Sequence, residues 1–187
     1  MVKEILVVVD MQNDFVTGAL RNEQGMHIVP EIRAKVEQAL AEGNLVVFTK
    51  DTHYDNYMQT EEGVNLPVPH CIRGTWGWEL VDELKELEEQ ATAVFEKETF
   101  GSDQLGSFIA QTIKENGDVK HIELVGLCTD ICVISNAVIA KAFAPNTPIY
   151  VDANCCAGVT PESHDTALDA MSAFQIHIKN KGQEIWR

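Results

Sequence analysis

Short apolar runs that do not alternate with polar residues recur along this chain, and a segment of helical periodicity follows most of them. Ile5–Val9 (ILVVV) is the first. A strand exposed on one face shows a polar residue at every second position. A run that is apolar throughout reads as buried on both faces, which is the habit of parallel sheets. Residues 45–49, 93–95, 122–125 and 149–151 repeat the pattern, and 175–178 can supply a last strand. Between them, 30–42, 78–90, 105–114, 130–143 and 160–173 carry apolar residues at helical spacing. Gly43 stops the first of these helices, and Thr160–Pro161 starts the last with an N-cap and a proline at the first helical position. Such alternation specifies an α/β fold: a single doubly wound, mainly parallel six-stranded sheet with helices on both faces. No repeat or linker interrupts it, so residues 1–187 read as one domain. Residues 54–77 are polar, rich in proline and glycine, and read as one extended loop; loops of that length in a compact domain are usually functional.

Several function classes are excluded early. The formal net charge is −15. Nucleic acid and anionic membrane surfaces both require a basic patch, so neither is an expected partner. The N-terminal apolar run is too short for a signal peptide core or a membrane span. Five cysteines without a secretion signal imply reduced thiols and a cytoplasmic location. Cys155 and Cys156 read as core or strand-end residues.

Parallel α/β sheets bind ligands at the carboxyl ends of their strands. Asp10 follows the first strand, Asp51 and His53 the second, Lys97 the third, and Cys128 to Cys132 the fourth. With a strand order 3-2-1-4 these ends are neighbours. Thr129 or Asp130 can cap the helix that follows, which places Cys132 in or beside its first turn. The helix dipole there favours an anion, so the thiol is expected to ionise more readily than in water. Taken singly, Cys132 could be a small buried hydrophobe, Asp10 a cap and Lys97 a snorkelling surface lysine. Taken together they supply a nucleophile, a base for its proton and a cation to hold the pair. Asp51, His53 and His70 form a second group. One carboxylate and two imidazoles suit a divalent transition metal, and Glu61 or Glu62 could add an oxygen ligand. His27, His121, His164 and His177 read as surface or satisfied structural residues.

The motifs DMQNDF (10–15), DTH (51–53), PHCIRGT (69–75), FEKETFG (95–101) and GLCTDICV (126–133) occur in this order over nearly the whole chain. As a set they resemble the isochorismatase-like cysteine hydrolases, and within them the nicotinamidases (pyrazinamidases). The resemblance implies a catalytic triad of Asp10, Lys97 and Cys132. It implies metal ligation by Asp51, His53 and His70, in a loop at about 51–77, with Zn²⁺ the expected ion and Fe²⁺ or Mn²⁺ the alternatives. It also implies a cis peptide at Leu127–Cys128, and an oxyanion hole from the backbone N–H groups of Cys128 and Cys132. The implied reaction is hydrolysis of nicotinamide to nicotinate and ammonia through a cysteine thioester, with Phe15 and Phe100 in the substrate pocket. Two departures from the family pattern, Pro67 and the Gly-Ser-Asp after Phe100, imply a wider or more polar pocket. The runner-up is hydrolysis of another small amide or carbamoyl compound by the same superfamily. In either case the partner is a small-molecule amide, and surface helices allow pairing into a homo-oligomer. Two other classes compete. A nucleotide-binding module lacks its G-x-G-x-x-G after the first strand, and a thiol redox protein would pair Cys128 with Cys132.

Overall fold

The computed structural model describes residues 3–117 and 119–187. The elements run β1 (Ile5–Val9), α1 (Asn13–Val16), α2 (Glu23–Ala41), β2 (Leu45–Asp51), α3 (Glu61–Asn65), α4 (Asp82–Glu88), β3 (Ala93–Lys97), α5 (Asp103–Asn116), β4 (Ile122–Leu127), α6 (Ile134–Phe143), β5 (Ile149–Ala157), α7 (Pro161–Ala173) and β6 (His177–Lys179). The strands form one sheet in the order β3-β2-β1-β4-β5-β6, and every pairing is parallel. Among the described residues no helix is long and apolar enough to cross a membrane.

The two-sided burial expected of β1 is complete: all five of its residues are buried. Ile5, Val7 and Val9 face a core shared with α5, α6 and α7, whereas Leu6 and Val8 face one shared with α2 and α4. Each such side chain contributes about 1.5–3 kcal/mol on burial, so a central strand is held from both sides. Gly126 in β4 has φ 118°, and a Cβ there would lie 2.1 Å from the Val9 carbonyl oxygen. Only glycine lets β4 approach β1 this closely, just before the chain leaves the sheet.

Several boundaries differ from expectation for local reasons. Helix α2 begins two turns before residue 30, because Asn22 caps it by accepting from Gly25 N–H. Pro30 thus lies inside the helix rather than at its start. Residues 54–77 are not one extended loop. They hold two 3-10 turns, Tyr57–Gln59 and Trp76–Trp78, and the short helix α3, whose cap Thr60 accepts from Gly63 N–H. Strand β5 runs on to Ala157 past a register shift, so Cys155 and Cys156 lie in its last turns of pleat and face opposite cores. At α7 the expected N-cap and proline are present, with a reciprocal bond between Thr160 and Ser163.

Candidate active site

The carboxyl ends of β1 to β4 carry the predicted residues, and the sheet order makes them neighbours. Asp51 and Lys97 stand opposite one another in the β2–β3 register. Asp10 leaves β1 with φ 50°, a left-handed conformation that aspartate tolerates better than most residues. Its Oδ1 accepts from the Thr49 hydroxyl at 2.7 Å, and its Oδ2 lies 2.6 Å from Lys97 Nζ. Lys97 Nζ also lies 3.3 Å from Asp51 Oδ1 and 3.5 Å from Cys132 Sγ. All four side chains are buried. The Lys97 contact to Asp10 Oδ2 is an ion pair off the hydrogen-bond direction, so that oxygen has no aligned donor from the other described residues. Cys132 Sγ and Asp10 Oδ2 are both held against Lys97 Nζ, which sets the thiol and the carboxylate around one cation.

Electrostatics follow from that burial. Burial raises the Asp10 pKa above the ordinary carboxylate value, with the Lys97 charge opposing it. Burial and then the Asp10 carboxylate push Cys132 well up, against the pull of Lys97. The expected easier ionisation of this thiol therefore does not hold. Burial and the Asp10 charge outweigh whatever the turn supplies, and the turn itself also differs from expectation. Thr129–Val133 is a π-helical turn, the residue at its N-cap is Cys128, and no side chain caps it. Thr129 and Asp130 are engaged elsewhere, with His164 Nδ1 and Val159 N–H. A proton thus stays on the buried thiol until an acceptor takes it, and Asp10 is in place to do so.

The peptide Leu127–Cys128 is cis, and the N–H groups of Ile131 and Val133 both donate to the Cys128 carbonyl. Cys128 packs on the α2 side of the sheet and Cys132 on the α5–α6 side. The two thiols therefore face opposite cores, which removes the support for a dithiol redox pair.

The second group also assembles. Asp51 Oδ2 is 3.1 Å from His53 Nε2 and 3.3 Å from His70 Nε2, and Glu62 Oε1 is 3.6 Å from both ring nitrogens. One donor atom from each of these four residues lies within 4.8 Å of the others. Burial opposes a charge on His53, but Asp51 and Glu62 raise it to about 9. For Asp51, bonds from both imidazoles and the Lys97 charge outweigh burial and hold the carboxyl low. Two carboxylates and two imidazoles converging in this way attract positive charge to their centre. The spacings suit four ligands around one divalent ion. Of the two glutamates left open by the sequence, Glu62 joins the group, while exposed Glu61 accepts from Asn65 instead.

What the sequence did not reveal is how DMQNDF (10–15) organises this edge. Gln12 donates to the Asp51 and Trp78 carbonyls and accepts from Asp51 N–H, clamping that residue's backbone on both sides. Asn13 donates to the Trp76 carbonyl, and Asp14 accepts from Cys71 N–H, one residue after His70. Phe15 is buried with its ring 5.6 Å from that of His70. Phe100, by contrast, is 44% exposed. It lines a cleft of about 620 Å³ together with His53, Glu62, Leu66 and Ile131, and with Asn56, Glu61, Asn65 and Glu98 among its polar residues.

Comparison with known proteins matches this architecture. The isochorismatase domain family matches residues 4–180. The nicotinamidase/pyrazinamidase of Mycobacterium tuberculosis is 30% identical, over 92% of this chain and 96% of its own length. An Arabidopsis thaliana protein described as a probable inactive nicotinamidase is 33% identical, over 97% of this chain and 93% of its own. Identity alone thus does not separate active from inactive relatives. The crystal structure of the pyrazinamidase of Pyrococcus horikoshii in complex with zinc superposes with a TM-score of 0.79 at 31% identity, covering 94% of this chain and 98% of that one. With the fold, the sheet-edge constellation and the family match in agreement, this chain belongs to the isochorismatase family.

Proposed function

We propose that this chain is a metal-dependent cysteine amidohydrolase that converts nicotinamide and water to nicotinate and ammonia, with residues 1–187 acting as one domain in the cytoplasm. The observation that carries this is the position of Lys97 Nζ, in contact with Asp10, Asp51 and Cys132 at once. It joins a buried thiol–carboxylate pair to a metal-ligand group.

Asp10, Lys97 and Cys132 are the assigned catalytic residues. Asp10 takes the Cys132 proton, and the sulfur attacks the carboxamide carbon. Lys97 compensates the negative charge that then sits among buried groups. Backbone N–H groups of Cys128 and Cys132 receive the oxyanion, usually the largest electrostatic contribution to such a reaction. The proton on Asp10 leaves with ammonia as the C–N bond breaks. Asp10 then draws a proton from water as it adds to the thioester. As the C–S bond breaks, the Cys132 sulfur takes that proton back from Asp10 and the acid departs as nicotinate, its own proton passing to solvent. Asp51, His53, His70 and Glu62 would hold the ion, for which zinc is the assignment; when bound, it supplies a Lewis-acidic point that orients the pyridine nitrogen. The ring would enter through the cleft beside Phe100.

The test is ammonia release from nicotinamide by the purified protein, before and after treatment with a chelator. Turnover that the chelator abolishes and zinc restores supports the assignment. Turnover confined to N-carbamoyl compounds would replace nicotinamide as the substrate.

A further inference from the structure

The proposed oxyanion turn, residues 128–132, is braced from outside the strand ends. Its Thr129 is fully buried, and the hydroxyl lies 2.7 Å from His164 Nδ1 in α7. His164 Nε2 lies 3.3 Å from Glu184 Oε1 near the C-terminus. Glu184 in turn accepts from Gly182 N–H and from the Arg187 guanidinium. Burial lowers the His164 pKa against the opposing effect of Glu184, so the ring is neutral at neutral pH. A neutral imidazole has a single N–H. With a carboxylate at Nε2 the proton sits there, leaving Nδ1 to accept from the Thr129 hydroxyl. Every hydrogen in the series then has one direction.

Packing around the ring leaves it little freedom. Trp186 stands edge-on to His164 with centroids 5.1 Å apart, and its indole N–H donates to the Cys156 carbonyl. Gly158 sits against the start of α7, where a Cβ would come within 2.8 Å of His164 N. His164, Asp165 and Glu184 could in principle form a metal group. However, Arg187 already bonds both carboxylates, and both His164 nitrogens are engaged.

We propose that Thr129, His164 and Glu184 form a positioning relay through which the C-terminal segment holds the 128–132 turn in register for the oxyanion. This rests on the reading of that turn given above. None of the three touches the reacting atoms. Their effect passes through the backbone on either side of Thr129.

The experiment compares the parent with Thr129→Val, which keeps the shape and deletes the donor, Thr129→Ser, which keeps the donor, and Glu184→Gln. The probe is 3-pyridinecarboxaldehyde. Its carbonyl adds the Cys132 thiol: an S–C bond forms, the C=O π bond breaks, and the thiol proton ends on an oxygen placed where the oxyanion would sit. Thr129→Val is expected to weaken aldehyde binding and to lower kcat for ammonia release by about 10- to 100-fold, with KM changed less than about threefold. Thr129→Ser should restore both, and adding Glu184→Gln to Thr129→Val should cost little more, because one relay is already broken. Aldehyde affinity and kcat within about twofold of the parent in Thr129→Val would overturn the relay, as would independent, multiplying effects of the two substitutions or a parent that fails to bind the aldehyde. A parent that binds the aldehyde but leaves nicotinamide intact overturns only the substrate, and the aldehyde series then judges the relay alone.

Discussion

Lys97 holds its buried ammonium among three anionic or ionisable groups, Asp10, Asp51 and Cys132. Replacing it with methionine keeps the stem and leaves Asp10 and Asp51 facing each other without that cation. Removing one partner of a buried pair costs about 3–5 kcal/mol. Lys97→Met should therefore lower the urea midpoint and abolish ammonia release together. The two cysteines separate more cleanly. Cys132→Ala is expected to remove amide turnover altogether. Cys128→Ala should keep a measurable fraction, since its thiol faces the other core and only its backbone is assigned a role. Equal loss from both, measured as ammonia per mole of protein, would return the dithiol alternative. At this scale the sequence was informative at and just beyond the carboxyl ends of the strands. Asp10, Asp51, Lys97 and Cys132 met as the strand order implied. It was uninformative where the partner comes from a distant turn. Thr129 and His164 are 35 positions apart, and His164 looked like any satisfied histidine.

Short elements account for most of what sequence pattern could not show. Helices α1 and α3 have four and five residues, too few for periodicity to register. Yet α1 carries the Asn13 and Asp14 clamps, and α3 delivers Glu62. The T-E-E-G at 60–63 was a readable cap signal for α3. Gln12 fixes the end of β2 from the turn before α1, so Gln12→Leu should act at a distance. It strips bonds from both backbone groups of Asp51 at a cost of about 1–3 kcal/mol for each buried group left unpaired. Loss of such outer support typically weakens a metal site by about 10–100-fold, and zinc affinity by chelator competition reads this directly. The C-terminal segment has its own signature in acid. Its Glu184 is held at about 2, because the Arg187 guanidinium and nearby N–H groups outweigh burial. His164 lies below its usual 6.5. Both folded-state values are depressed, so the unfolded chain binds more protons and stability falls as pH drops. For His164 the loss begins below about 6.5, and for Glu184 it runs from about 4.5 down to about 2. Thermal midpoints of the parent and Glu184→Gln should accordingly converge across that lower window. A gap that stays constant from pH 5 to 2 would show that Glu184 is not the titrating group.

Across the whole molecule, two cores lie on opposite faces of one sheet, and the strands between them belong to both. Val7 and Val8 are neighbours in sequence, are fully buried, and pack into different cores. Neither core can lose its sheet face without stripping the other, so we expect the chain to unfold as one unit although it exceeds the size at which all-or-none behaviour is routine. The protein carries convenient reporters for this. Trp78 and Trp186 both pack against the core that contains α2 and α4, whereas far-UV circular dichroism averages over helices on both faces. Urea titrations followed by the two signals should give the same midpoint and slope. If fluorescence moved first, the α2 side would be a separate folding unit, and the single-domain assignment would fail. The net charge of −15 adds a second handle on the same transition. Self-repulsion of that size destabilises the compact state and is screened within about 10 Å at 0.1 M salt. Raising sodium chloride from low to physiological strength should therefore shift both probes to higher urea by the same amount, since the repulsion acts on the whole body and on neither core in particular.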